Sequence, residues 1–401
     1  MTAAVVCFPF VGDLVGGSHI SAAGLIRKLD RTRFTPLTLV QHEGGPVADL
    51  LRQQQVTPEP APGTPELAHG RRIDPATALR LAAAAPRLAA FLRRRRVRIV
   101  HCNDGRTLAT WGVAARLAGA RLLWHHRGSP DAIGLRFVAP ILADRVVAVS
   151  RYAAPRPGWY SAAARTHVIH SPFDVDEQHD RAAARAAILP LLHGAGPDTR
   201  IVAFSGALID RKRPLLFVDA IAALSRLAPG LDVRGVVLGE SLDGMADRVR
   251  ARAAEEGVAD RVHLLGFRTP GPFWLAACDL LMIPAVGEPF GRTLIEAMIA
   301  GTPVVATASG GNVEAIAHGR NGLLVPPEDG VALAEACRQL LADDARRRTI
   351  AAAARAGAIA RYGETAHAEA VMRLYADMLT VGIRPDQGTS PLLPPLAQAE
   401  R

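Results

Sequence analysis

Two doubly wound, Rossmann-like α/β domains facing across a cleft are what the sequence predicts, and three observations predict them. The chain has 401 residues, room for two domains of ordinary size, and 49% of them are hydrophobic, so each half can bury a core. Short apolar runs of strand length alternate with helical stretches, the β-α-β-α rhythm of a parallel sheet with helices on both faces. The rhythm breaks once, over residues 171–199, which read as connecting structure. The domains are therefore expected at 1–175 and 176–380, followed by a tail.

In the first half, residues 3–8 form an apolar strand. The turn Gly16-Gly17-Ser18-His19 follows, and a helical pattern runs over 20–29. Residues 36–40 read as a strand and 46–54 as a helix. Residues 56–70 are rich in Pro, Gly and polar groups and read as a loop. A helix over 76–92 ends in Arg93, Arg94, Arg95 and Arg96. Residues 98–101 form the next strand, 107–117 a helix, and 121–125, 145–149 and 167–169 further strands.

In the second half, strand 201–205 leads through Gly206 and a polar turn to a helix over 214–227. Strands at 233–238, 262–265, 280–283, 304–306 and 323–325 follow, separated by helices. A last helix near 365–380 comes after the second sheet is complete and is expected to pack back toward the first domain. Residues 381–401, rich in Pro and polar side chains, are expected to be disordered.

Four scattered cysteines, Cys7, Cys102, Cys278 and Cys337, without a C-x-x-C pair, argue against a zinc site or a disulfide framework. No charged-then-apolar leader and no apolar run near 18 residues is present, so a cytoplasmic or peripheral protein is expected. The net charge of +9 is uneven: residues 1–173 carry +13 and the remainder −4. A basic first half suggests an anionic partner, such as nucleic acid or an anionic membrane surface. No aromatic platform or nucleic-acid module accompanies it, so nucleic acid is not expected. The chain has only two lysines, Lys28 and Lys212, against 45 arginines. Lys212, inside DRKRP, therefore suggests a place where a compact ammonium is needed.

Ligands of open α/β sheets bind beyond the carboxyl ends of the strands, and two stretches lie at such places. In EPFGRTLIEAMIAGTPVV, Glu288 lies on the loop after strand 280–283, Gly291 opens a helix and Glu296 sits inside it. The free N–H groups of a first helical turn attract an anion, while the two carboxylates suit hydroxyl groups. A ligand with phosphates in the middle and hydroxyl-rich ends, such as a sugar nucleotide, fits that arrangement. In FSGALIDRKRP, Gly206 precedes a turn where Arg211, Lys212 and Arg213 can neutralise a diphosphate. A solvated basic turn and a solvated helix face are the plain alternatives. Asp174-Val175-Asp176 falls in the connector and reads as hinge chemistry.

These segments, with VHLLGF, ACDLLMIP and GRNGLLVPPEDGVALAEA in the same order, resemble the retaining glycosyltransferases of family four, glycosyl transferases group 1, with the GT-B fold. The likeness covers most of the second domain; in the first it is carried only by GGSH, ADRVVAVSRYA and VIHSPFD. It implies transfer, with retention and without a metal or other cofactor, of a hexose-like unit from a nucleoside diphosphate sugar to a hydroxyl acceptor, saccharide or lipid-linked, in bacterial-type polysaccharide, glycolipid or glycoconjugate synthesis. It implies roles as well. Glu296 would bind the ribose and Glu288 the transferred sugar. Lys212 would hold the diphosphate with the backbone at Phe290, Gly291, Arg292 and Thr293. The backbone at Gly266, Phe267 and Arg268 would meet the base, and Gly16 and Gly17 the phosphates from the other side.

WHHRGSP, residues 124–130, ends a first-domain strand where the resemblance implies a histidine facing the sugar. Strand alternation puts His125 and Arg127 on one face and His126 on the other; His125 is the first candidate, with His126 and Arg127 as alternatives. The chain departs from the family at Ala207, where an arginine is usual. Either Arg211 or Arg213 substitutes, or diphosphate binding is weaker. Two other classes remain open: a noncatalytic nucleotide-sugar-binding subunit, supported by Ala207, and an epimerase on the same fold. The run Arg93, Arg94, Arg95, Arg96 with Arg98 reads either as favourable charge at a helix C-terminus or as a membrane-facing patch.

Overall fold

The computed structural model describes residues 2–67, 73–241 and 243–380; the expected tail, 381–401, lies outside the described residues. In the first half, strands β1 (Ala4–Phe10), β2 (Phe34–Val40), β3 (Glu59–Pro60), β4 (Val97–Cys102), β5 (Arg121–His126), β6 (Arg145–Ala148) and β7 (Thr166–Val168) form one parallel sheet in the order β3-β2-β1-β4-β5-β6-β7. In the second half, β8 (Arg200–Ser205), β9 (Val233–Leu238), β10 (Val262–Gly266), β11 (Leu280–Ile283), β12 (Val304–Thr307) and β13 (Leu323–Val325) form another, in the order β10-β9-β8-β11-β12-β13. Both sheets are covered on both faces by helices, which is why their strands read as mostly apolar runs rather than as regular alternation, with polar residues such as Arg98 and Arg234 near the strand starts. The strand order reverses between β1 and β4 and again between β8 and β11, the switch points where such sheets open a crevice.

The helix Glu364–Thr380 belongs, in space, to the first domain. Its Val371, Leu374, Tyr375 and Met378 share a core with Val6, Phe8, Ile99 and Leu123. The chain crosses back at a single seam, where the Phe173 N–H donates to the Tyr362 carbonyl at 2.9 Å and Phe173 pairs with Gly363. Arg27, from the first helix (Gly17–Arg27), donates to Glu364 at 2.5 Å and holds the start of this last helix.

Two readings are corrected. The 171–199 segment is not only a connector: it contains the helix Arg181–Ile188, capped by the Asp180 carboxylate and carrying Ala184 and Ile188 into the core of the second domain. Its Arg181 and Arg185 converge on buried Asp279, at 2.8 and 3.3 Å, and the same carboxylate accepts the Ile201 N–H at 2.8 Å. The 56–70 loop contributes β3, a two-residue edge strand beside β2; Pro is tolerated there because an edge strand needs fewer ladder donors. The four cysteines are all buried. Among the described residues no helix is long and apolar enough to cross a membrane.

Candidate functional site

The loop after β8 and the loop after β11 are stitched together at the switch point of the second sheet. The Val286 N–H donates to the Arg211 carbonyl at 3.0 Å, and Gly311 donates to the Glu288 carbonyl at 2.7 Å. Gly310 must be glycine here: its φ is +60° and a Cβ would lie 2.4 Å from the Glu288 carbonyl oxygen. This seam fixes Glu288 against the basic turn. Its carboxylate accepts from Arg211 Nη1 at 2.6 Å and from Lys212 Nζ at 3.1 Å. Burial pushes the Glu288 carboxyl up, but Lys212 and then Arg211 outweigh it and hold it below the usual carboxylate value.

Gly206, at φ +138°, lets the Lys212 side chain lie across the backbone; a Cβ there would sit 3.2 Å from Nζ. Arg213 is directed elsewhere, donating to Glu328 at 2.8 Å and to the Asp210 carbonyl at 2.6 Å. Of the two residues that could stand in for the arginine absent at Ala207, Arg211 is therefore the one beside Lys212.

Gly291, at φ +76°, precedes the helix Arg292–Ala300, and no side chain caps that helix. The Leu294 N–H donates back to the Gly291 carbonyl at 3.1 Å, and the Arg292 and Thr293 N–H groups before it have no partner within the helix. A Cβ at Gly291 would lie 3.4 Å from Glu288 Cγ and 3.5 Å from Asn312 Oδ1. The ammonium, the guanidinium and the helix start thus surround one small volume. Two cations against one carboxylate leave a formal charge of +1, and a helix N-terminus adds about half a charge more. The place is electropositive although it contains a glutamate. Phe290 presents only its backbone to this volume, because its ring is buried and stacks on His170 at 5.0 Å.

Arg292 does not turn toward this volume. It reaches across to the first domain, where Nη1 donates to Ser21 Oγ at 2.9 Å and to the Pro172 carbonyl at 3.1 Å, and its guanidinium lies over the Phe173 ring. Its Nε is 3.4 Å from Glu296. Gly17 makes this approach possible: a Cβ there would be 2.5 Å from Arg292 Cδ. Gly16, the residue before the helix, donates its N–H to His19 Nδ1 at 3.1 Å. The glycine turn of the first domain therefore borders the helix start of the second. Ser150 and Tyr152 extend the seam; Ser150 donates to the Pro289 carbonyl, and a Cβ at Gly287 would lie 2.8 Å from the Tyr152 hydroxyl. Gly16 and Gly17 were expected at this place, and Ser150 and Tyr152 lie in the ADRVVAVSRYA segment that carries the resemblance, but no role was expected of either of those two.

Glu296 points along the helix toward the loop after β10, where a Cβ at Gly271 would be 3.9 Å from its Oε2. Gly266 has φ +71°, and Phe267 follows with an exposed ring. Arg268 folds back, donating to the Leu265 carbonyl at 3.0 Å and lying over Trp274, so its guanidinium is engaged. A cavity of about 310 Å³ opens beside this edge, lined by Leu208, Gly239, Glu240, Ala246, Leu264 and Gly266.

His125, the first candidate for a residue facing the sugar, is fully buried and faces inward. Its ring lies between those of His101 and His367, 5.5 Å from each. The last helix covers that face of β5, which strand alternation alone does not reveal. His126 is buried on the opposite face against Trp124, with Nε2 3.0 Å from the Ser129 carbonyl oxygen. Burial depresses both imidazoles, His126 to about 4 and His125 well below the ordinary value, Arg127 adding to the effect at His125. Arg127 is the member of the trio that reaches the seam, with Nη1 donating to Ser171 at 3.0 Å and Nη2 3.3 Å from His125. Its Nε is buried without a partner, and burial together with the charge of Arg292 lowers its pKa to about 9.

The basic run ending the helix Pro75–Arg94 is partly committed to structure. Arg93 donates to the Leu117 carbonyl and Arg95 forms a two-pronged pair with Glu59; Arg94, Arg96 and Arg98 are exposed. Asp174 and Asp176 lie on the connector, where Asp174 accepts the Asp176 N–H at 3.1 Å and lies 4.0 Å from Arg27.

Residues 199–343 match the family model described as Glycosyl transferases group 1. Curated relatives include a D-inositol 3-phosphate glycosyltransferase of Corynebacterium urealyticum, 32% identical over 58% of this chain and 55% of its own length. Another of the same description, from Xylanimonas cellulosilytica, is 37% identical over 53% of this chain and 51% of its own length. The chain spans about half the length of these relatives. Among solved structures, Anabaena HepE in complex with UDP and glucose superimposes with a TM-score of 0.78 at 22% identity, over 93% of this chain and all of HepE. The sucrose-phosphate synthase of Thermosynechococcus elongatus gives 0.71 at 21% identity, over 94% of this chain and all of its own. The two-domain fold is theirs.

Proposed function

We propose that this chain, whose residues 199–343 form a glycosyl transferases group 1 domain within a GT-B fold, moves a sugar from a nucleoside diphosphate sugar to a hydroxyl acceptor with retention at the anomeric carbon. The observation that carries the reading is the meeting of Lys212, Arg211 and the uncapped helix start at Gly291 around one volume, opposite the glycine turn of the first domain. That volume suits a diphosphate. The UDP and UDP-glucose in the HepE structures support a uridine nucleotide as the donor's leaving group.

In this reading the diphosphate lies against Lys212 Nζ, the Arg211 guanidinium and the amides of Arg292 and Thr293, with Gly16 and Gly17 closing from the other side. Glu296 accepts the ribose hydroxyls, and the backbone at Gly266 and Phe267 meets the base. Glu288, held ionised by its two cations, accepts hydrogen bonds from the transferred sugar. That pairing keeps its charge engaged, which suits a hydrogen-bond acceptor better than a nucleophile. Arg127 offers its unspent N–H to the sugar or to an anionic group of the acceptor.

The bond from the anomeric carbon to the diphosphate oxygen breaks as the bond to the acceptor oxygen forms on the same face. The acceptor proton passes to the departing diphosphate. Charge develops on that leaving group, so preorganised cations and amides supply the catalysis; one such donor contributes about 3 kcal/mol. No metal is invoked. The test is a donor and acceptor screen that reads both released nucleoside diphosphate and glycosylated product. Acceptor-dependent release, with the anomeric configuration kept, is expected. Release of an epimerised sugar nucleotide without acceptor, or donor binding with neither release nor transfer, overturns the reading.

A further inference from the structure

The outer surface of the first domain carries an apolar face that the fold leaves uncovered. The segment Gly134–Val138, continued by Ala139–Leu142, turns Leu135 and Ala139 into the core. It leaves Phe137 and Ile141, with Ile133 just before it, 53–62% exposed on the outer side. Residues four apart share one face of a helical turn, so this is an outward apolar stripe, the reverse of what a surface helix ordinarily shows. Beside it stands Trp159, 99% exposed, its ring 5.7 Å from that of Tyr160. The Tyr160 hydroxyl donates to the Phe137 carbonyl at 3.1 Å, and Arg165 donates to the carbonyls of Pro140 and Ala143. The two segments are thus pinned together as one surface.

Its charge is mostly of one sign, with exposed Asp131 bordering the first segment and the Glu314 carboxylate accepting the Arg151 and Tyr152 N–H groups at 2.9 Å. Residues 132–143 and 151–165 contain four arginines and neither Asp nor Glu. Arg165 is used in pinning; Arg136, Arg151 and Arg156 are exposed, and Arg136 lies over the Phe137 ring. Both segments leave the sheet at its carboxyl edge, after β5 by way of Arg127 and after β6 by way of Ser150, so the surface starts at the mouth of the cleft.

We propose that this surface, Ile133, Phe137, Ile141, Trp159 and Tyr160 with Arg136, Arg151 and Arg156, docks the chain on an anionic lipid bilayer. Tryptophan and tyrosine sit well at a membrane–water boundary because the ring is apolar and its polar edge stays wet. Aliphatic side chains between them enter the acyl boundary, and each arginine near an anionic surface adds about 1 kcal/mol of attraction. The excess of exposed arginines over carboxylates on this face selects an anionic surface over a neutral one. The face is a different one from the basic run at Arg94, Arg96 and Arg98.

The experiment uses the full chain with vesicles of phosphatidylcholine alone and of a phosphatidylcholine–phosphatidylglycerol mixture. It reads sedimentation and quenching of tryptophan emission by brominated lipid. Binding to the mixed vesicles, with quenching that disappears in Trp159→Phe, is expected. Trp159→Ser and Phe137→Ser are expected to weaken binding about tenfold or more while melting like the wild type. Any one of three results overturns the proposal: no preference for anionic vesicles; binding lost in Arg94→Gln/Arg96→Gln/Arg98→Gln but kept in Trp159→Ser; or Trp159 shielded by concentration-dependent pairing of two copies of the chain. None of these readouts depends on sugar transfer.

Discussion

Replacing Lys212 with alanine isolates the group on which the proposed chemistry leans most. The Lys212 side chain is 15% exposed and lies across Gly206, with its ammonium 3.1 Å from the Glu288 carboxylate. A charge at about 4 Å from a diphosphate oxygen is worth about 4 kcal/mol at an effective dielectric near 20, which sets an upper scale. Loss of one preorganised charge-stabilising group costs about 3 kcal/mol in practice, about a hundredfold in rate. The folded state should tolerate the change, because Arg211 still holds Glu288 at 2.6 Å. Steady-state assay of nucleoside diphosphate release, beside a thermal melt, separates the two effects. A fall of about two decades in kcat with a melting temperature near the wild type is expected. Turnover equal to the wild type in a folded Lys212→Ala protein would refute the reasoning and remove the ammonium from the transition state.

Three further outcomes follow from the same geometry. Arg211→Ala should lower kcat/KM by about tenfold or more, whereas Arg213→Ala, whose guanidinium is held by Glu328 and the Asp210 carbonyl, should leave it unchanged; equal losses in both would show that the basic turn acts as a diffuse field. Asp279→Ala leaves Arg181 and Arg185 without their buried carboxylate and the Ile201 N–H without its acceptor, and should cost about 3 kcal/mol, read as a fall of roughly 6–12 °C in melting temperature. Acid should destabilise the fold as pH drops below about 6.5, because His101, His125, His126 and His367 are buried neutral. Burial depresses His126 to about 4 and His367 to about 3, so the unfolded chain binds their protons first and the penalty grows until those values are reached. A melting profile flat between pH 6.5 and 4 would contradict that picture.

What could be read from the sequence follows burial. Strands β9, β11 and β13 occupy the ranges that their apolar runs mark, because strands covered on both faces are nearly all apolar, Arg234 near the start of β9 being the exception. The helix Arg181–Ile188 escaped because it is only eight residues long and its apolar face is mostly alanine, although Arg181 and Arg185 lie opposite buried Ala184 and Ile188; Asp180 ahead of RAAARAAI was the available sign of a capped start. In the site, Lys212, Glu288 and Gly291 announced themselves by lying after strands of one sheet, so local order was enough to bring them together. The first-domain side was not legible in the same way. His125 and Arg127 share one face of β5, and that face is covered over the strand by the helix Glu364–Thr380, which arrives from the far end of the chain; only Arg127, one residue past the strand's end, reaches the seam. The bridge from Arg292 to Ser21 and Pro172 likewise joins residues that no local pattern connects.

The most direct measurement is a crystal structure with UDP bound. Phosphate oxygens within hydrogen-bond distance of Lys212 Nζ and of the amides at the start of the helix Arg292–Ala300, with the ribose hydroxyls on Glu296, are the predicted result. A nucleotide bound elsewhere, or a diphosphate that leaves Lys212 still paired with Glu288 and the helix start untouched, would contradict the account.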